Sequence, residues 1–104
     1  MSMCGAWSPV KPVTLEVIKI CLEMRKKIED NVENGNDSKV YIPSVYSYQI
    51  LNGTNYVVKV FLGGRDDGVC VHAKIHQALP CNDGKLTLSR FQFPKTFDEP
   101  LEPF

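Results

Sequence analysis

Cys70 and His72 are the residues with the types and spacing for covalent chemistry, since positions two apart on a strand share a face and a thiol beside an imidazole is the start of a nucleophile and base. Nothing near them in the sequence supplies a third, orienting group or a set of oxyanion donors, and the spacing therefore favours packing over catalysis. His72 and His76 share that face but stand roughly 13 Å apart at normal strand rise, too far to chelate one ion. Both are expected at the surface of the sheet. The four cysteines, Cys4, Cys21, Cys70 and Cys81, fall in a tail, a helix, a strand and a loop, and match neither a disulfide framework nor a zinc site. Free thiols in a reducing compartment are the simplest expectation, with no catalytic residue, metal or cofactor.

Contact chemistry is more promising. Gln49-Ile50-Leu51-Asn52-Gly53 holds the strongest turn signal of the chain, between two strand-like runs, Lys39 to Ser47 and Thr54 to Leu62. Asn52-Gly53 suits the positive backbone angles of a two-residue hairpin loop, because Gly has no Cβ to clash and Asn tolerates the left-handed region. Ile50 and Leu51 sit beside that tip, where a solvent-facing turn ordinarily carries polar residues. Either one of them is the last core residue of its strand, or the two make a projecting apolar knuckle that enters another protein's cleft.

At 104 residues the chain is expected to be one domain that buries roughly two-thirds of its unfolded surface without disulfides or metal. Twelve basic and twelve acidic residues cancel, and no basic stripe marks a face for nucleic acid or anionic lipid. No segment reads as a signal peptide or a bilayer span. Asn36-Asp37-Ser38 and Asn52-Gly53-Thr54 match the glycosylation sequon, and a glycan on Asn52 would sit on the knuckle, so a working knuckle implies a cytosolic chain.

The elements that must hold the knuckle follow from periodicity. Residues 1–12 form an extended arm, where Pro9 and Pro12 discourage helix and Trp7 is either a lid over the end of the core or an anchor for a partner. From Thr14, an N-cap, a period near 3.6 places Leu15, Val17, Ile18, Cys21, Leu22, Met24, Ile28 and Val32 on one arc of a long helix that stops near Gly35. Arg25 falls inside that arc and pairs with Glu29 one turn on. Four strands follow, over Val40 to Leu51, Thr54 to Leu62, Val69 to Ala78 and Leu86 to Phe93, with Pro43 marking an edge or a bulge. Residues 63–68 are a polar, glycine-rich turn, and residues 79–84 form a loop that begins with apolar Leu79 and Pro80. Residues 94–104 are an extended tail attached through Leu101 and Phe104. Short connections imply antiparallel pairing, hence an α+β fold with one long helix packed across a four- to five-stranded antiparallel sheet. In such a meander alternate turns share an end, so the knuckle and the Leu79-Pro80 loop should emerge side by side.

Met3-Cys4-Gly5-Ala6, Gln49-Ile50-Leu51-Asn52-Gly53 with Thr54-Asn55-Tyr56, Gln77-Ala78-Leu79-Pro80, Leu86-Thr87-Leu88-Ser89 and Asp98-Glu99, in that order, resemble the stefins, the intracellular branch of the cystatin superfamily. The resemblance runs over nearly the whole chain. It implies a cystatin-like fold and an inhibitor of papain-like cysteine proteases, such as lysosomal cathepsins, that works as a wedge. Cys4 and Gly5 of the arm, Gln49, Ile50, Leu51, Asn52 and Gly53 of the first hairpin, and Leu79 and Pro80 of the second loop take the protease-binding roles. It also implies a cytoplasmic protein, monomeric when active, with a domain-swapped dimer or a Cys4-linked dimer as alternative assemblies. The family's hairpin reads Gln-Val-Val-Ala-Gly. Here Leu51 adds a methylene and Asn52 puts an amide where a small apolar group is usual; burying that amide without a partner costs about 1 to 3 kcal/mol, or roughly ten- to a hundredfold in affinity. The competing reading keeps the fold but makes the chain a protein-interaction module with weak or no protease inhibition.

Overall fold

The computed structural model describes residues 6–32, 40–63 and 68–104. Met3, Cys4, Gly5, the Gly35 helix stop, the Asn36 sequon and residues 64–67 of the glycine-rich turn lie outside them. The elements in chain order are β1 (Lys11–Pro12), α1 (Leu15–Glu23), α2 (Arg25–Asn31), β2 (Ile42–Ile50), β3 (Thr54–Gly63), β4 (Val69–Gln77), a single 3-10 turn (Pro80–Asn82) and β5 (Leu86–Lys95). The five strands form one sheet in the order β1-β2-β3-β4-β5, each antiparallel to its neighbour. The register of β2 on β3 shifts between Pro43 and Val45, the bulge expected from a proline that cannot donate to the ladder.

Thr14 caps the first helix, its Oγ1 accepting from the Val17 N–H at 3.3 Å. The single long helix expected from the periodicity is instead two, broken at Met24 (φ −92°, ψ 1°). The Tyr41 hydroxyl donates to the Cys21 carbonyl at 2.6 Å, the acceptor that an unbroken helix assigns to the Arg25 N–H, and a side chain inserted there interrupts the ladder. Arg25 Nε meets Glu29 Oε2 at 2.9 Å, as its spacing predicts, and the guanidinium also lies over the Tyr41 ring. The helical arc drawn from periodicity was too wide. Leu15 and Leu22 are exposed, while Ile20 joins Val17, Cys21, Met24, Ile28 and Val32 in the core.

That core closes on the sheet face carrying Tyr46, Tyr56, Val58, Val60, Val71, Ala73 and Ile75. Alternation along the strands should leave the opposite face wet, yet Ser47, Val57, Lys59, Cys70 and His72 are buried there. Ser8 of the N-terminal arm lies on Ser47, and the C-terminal tail covers the part of the face around Lys59. Lys59 Nζ donates to the carbonyls of Phe97 (2.5 Å) and Glu99 (2.6 Å), the Phe97 ring meets Phe61 edge-on at 5.9 Å, and Leu101 is buried at 6 % exposure. The tail is a strap over the far face, held through Leu101 as expected and through Lys59, which periodicity alone does not single out.

Candidate functional site

Ile50 closes β2 by pairing with Thr54, so the first hairpin turns in three residues, Leu51, Asn52 and Gly53, and not the two that Asn-Gly suggests. Asn52 (φ 52°) and Gly53 (φ 111°) both take the positive backbone angles the sequence called for, and the Leu51 N–H donates across the turn to the Gly53 carbonyl at 3.0 Å. A side chain at Gly53 would run into the Gln77 carbonyl and the His76 ring, so the absent Cβ is what allows the tip to rest on the end of β4. Ile50 is 62 % exposed and Leu51 47 %. Neither is tucked beneath the helix, and neither is the last core residue of its strand.

The second loop leaves the same end of the sheet. Leu79, 44 % exposed, accepts from the N–H groups of Asn82 (2.8 Å) and Gly84 (3.1 Å), and the Ala78 N–H closes the loop on the Lys85 carbonyl at 2.9 Å. Its 3-10 turn starts on Pro80, whose fixed φ suits a first helical position, and ends at Asp83 in the left-handed region. Pro80 and Cys81 are exposed beside Leu79. The two loops are therefore short, internally hydrogen-bonded and adjacent.

The third segment is the arm. Trp7 bridges Gln49, one residue from the tip. Ser8 fastens it: its N–H donates to the Tyr48 carbonyl (2.8 Å), its Oγ accepts from the Tyr48 N–H (3.0 Å), and its carbonyl accepts from the Ser47 hydroxyl (2.6 Å). Trp7 is not part of the helix-side core, so it is no lid for that core; the Lys74 ammonium lies 5.9 Å from its ring on the other face of the sheet. Of the residues expected at the contact, Gln49 is half-buried behind the tip, Ile50, Leu51, Asn52, Leu79 and Pro80 are exposed, and Gly53 is buried between the two loops. Cys4 and Gly5 fall outside the described residues.

His72 corrects the sequence reading. It is 1 % exposed, not a surface residue, because the strap covers its face, and its Nε2 has no hydrogen-bond partner among the described residues. Burial first, then the Lys59 and Lys95 ammoniums, hold its pKa down to about 4 against an opposing pull from Glu99. Burial also raises the Cys70 thiol, while nearby Lys59 pulls the other way. A protonated thiol beside a neutral imidazole, both sealed from solvent, gives a substrate no approach. Cys21 is likewise inert, its thiol pushed up to about 12 by burial. Among the described residues no three His, Cys, Asp or Glu side chains gather where a metal could sit, and no helix is long and apolar enough to cross a membrane.

What sequence reasoning missed is the row behind the tip. Gln49, Asn55 and His76 stand directly opposite one another on β2, β3 and β4. Asn55 Nδ2 donates to Gln49 Oε1 at 2.9 Å, and Asn55 Oδ1 lies 2.8 Å from His76 Nδ1. Counting register outward from the two-residue turn that Asn-Gly suggests would pair Gln49 with Tyr56; only the three-residue turn sets Gln49 opposite Asn55, and His76 needs the length of the next turn as well.

An antiparallel meander wrapped on a helical segment, with two apolar loops at one end and an N-terminal arm running beside them, defines the chain as a cystatin-type α+β protein. No protein-family model matches the chain. Relatives do: it is 32 % identical over 102 residues to cystatin-B of Oplegnathus fasciatus (98 % of this chain, 97 % of that protein), and 33 % identical over 102 residues to the cystatin-B proteins of Paralichthys olivaceus and Homo sapiens (98 % of this chain, 99 % of each). The chain belongs to the cystatin-B, or stefin, family of cysteine protease inhibitors. That family is one of inhibitors and not of catalysts, and this protein is not an enzyme.

Proposed function

We propose that the chain is a reversible, non-covalent inhibitor of papain-like cysteine proteases of the cathepsin type, acting in the cytoplasm as a single-domain monomer that needs no cofactor, nucleic acid or membrane. The observation that carries the reading is the exposure of Ile50, Leu51 and Leu79 together at one end of the sheet, on two loops whose backbones are tied by their own hydrogen bonds. A cleft with a Cys–His pair at its floor cuts a substrate that lies extended, its carbonyl within about 3.5 Å of the sulfur. A closed hairpin offers no carbonyl in that geometry. The tip fills the cleft and is not cut, while Leu79 and Pro80 cover one wall and Cys4 and Gly5 of the arm follow the other. A contact of this kind buries about 800 Å² per partner, with the apolar tips as anchors.

The test is a titration of papain or a cathepsin with the parent chain, Gly53→Arg and an arm-deleted form. Inhibition by the parent that weakens in both variants is expected; equal potency of all three would refute the contact. Leu51 and Asn52, which depart from the family's hairpin, are the residues that favour the second reading, an interaction module that has lost inhibition. An active-site-directed peptide separates the two, because it displaces a wedge from the protease and leaves other partners bound. In this reading opening of the hairpin at Asn52-Gly53, which would let two chains exchange halves, abolishes the wedge. Size-exclusion chromatography with reductant tells such a dimer from one linked through Cys4, since only the exchanged form persists.

A further inference from the structure

The Gln49–Asn55–His76 row runs crosswise through the strands that carry the two loops. Its side chains lie on the face away from the helix, one residue behind the Ile50–Thr54 pair that closes the first hairpin. Asn55 Oδ1 is an acceptor only, so His76 Nδ1 carries the proton and donates to it, and the same amide's nitrogen donates onward to Gln49 Oε1. In this arrangement both ends of the Asn55 amide are used, one toward each neighbouring strand. The His76 ring and the Gln77 carbonyl also form the surface on which Gly53 rests. Trp7 extends the row by bridging Gln49 from the arm. One lateral chain of contacts therefore links the arm, the first hairpin and the strand that leads into the second loop.

We propose that Asn55 and His76 are positioning residues that lock the first hairpin against the base of the second loop through Gln49, presenting the binding edge as one preorganised body. Neither residue touches the partner. Their effect is to remove loop freedom before association, freedom that would otherwise be lost on binding. The consequence for affinity rests on the protease reading above, whereas the lock itself does not.

The experiment uses the full chain with Asn55→Ala, His76→Ala, the double variant and His76→Asn, whose amide nitrogen stands close to where Nδ1 does. In the free protein, amide exchange is read at Leu51 and Ala78, which are hydrogen-bonded in the first turn and at the base of the second loop. It should speed up in both alanine variants and return toward the parent rate in His76→Asn; unchanged exchange overturns the lock. Against papain, each alanine variant should dissociate about five- to twentyfold faster, with the double variant no worse than the weaker single, because the row acts as a unit. Losses that add, or unchanged dissociation, overturn the positioning role. A residue that merely stabilised the sheet would shift the melting temperature without that non-additivity or the rescue. Should the parent fail to inhibit papain, the protease reading falls and the exchange measurement still decides the lock.

Discussion

Asn52 and Gly53 show how one turn sets demands that pull in different directions. Gly53 sits at φ 111° against the Gln77 carbonyl, so Gly53→Ala meets both a backbone that L-residues avoid and a collision. Urea denaturation should show a loss of about 1 to 3 kcal/mol, with weaker protease inhibition because the tip must lift off the end of β4. Asn52 is exposed at φ 52°, a left-handed angle Asn tolerates better than Ala. Asn52→Ala should therefore cost about 1 kcal/mol of stability and yet tighten inhibition of papain roughly tenfold, since it removes an amide the wedge would desolvate. Weaker inhibition by Asn52→Ala would mean that the amide finds a partner in the complex.

At the scale of elements, the interrupted helix and the C-terminal strap are the parts that pattern reading handled least well. The break at Met24 follows from a hydroxyl nearly twenty residues away in sequence, and Tyr41→Phe, which removes the bond to the Cys21 carbonyl, should cost about 1 to 2 kcal/mol in denaturation. The strap is an extended segment with no periodicity of its own, yet it turns a face that would be wet into a second buried layer. Leu101→Ala should destabilise the protein by about 2 to 4 kcal/mol. It should also make Cys70, buried beneath the strap's face, react with a thiol reagent under native conditions, where among the described cysteines of the parent only the exposed Cys81 is labelled. Labelling of Cys70 at the parent rate would show that the strap does not guard it.

For the whole molecule, the strap gives stability a pH dependence. A free imidazole titrates near 6.5 and His72 is held to about 4, so between these values the unfolded chain takes up a proton that the folded chain refuses. The contribution is intact above about pH 6.5 and is lost as the pH falls toward 4, reaching about 2 kcal/mol by pH 5. Denaturation midpoints at pH 7 and pH 5 should reveal the drop, and His72→Gln, which does not titrate, should flatten it. An equal drop in that variant would assign the dependence to other groups. Acidification would in this way weaken the layer opposite the helix.

Local pattern determined a good deal of this protein. Asn52-Gly53 marked the hairpin, Thr14 the helix start, Pro43 the bulge, and strand alternation the helix-facing residues from Tyr56 to Ile75, because each depends on backbone angles or periods that a few neighbouring residues set. The short connections then placed Leu79 beside the knuckle through the parity of a meander. Tertiary structure alone decided what depends on contacts between segments far apart in sequence. These are the helix break under Tyr41, the burial of Lys59 and His72 beneath residues 97–101, the place of Trp7 on the face away from the helix, and the bonds joining Gln49, Asn55 and His76. Such contacts follow from register and from where an unpatterned tail comes to rest, and neither is written in the period of any single segment.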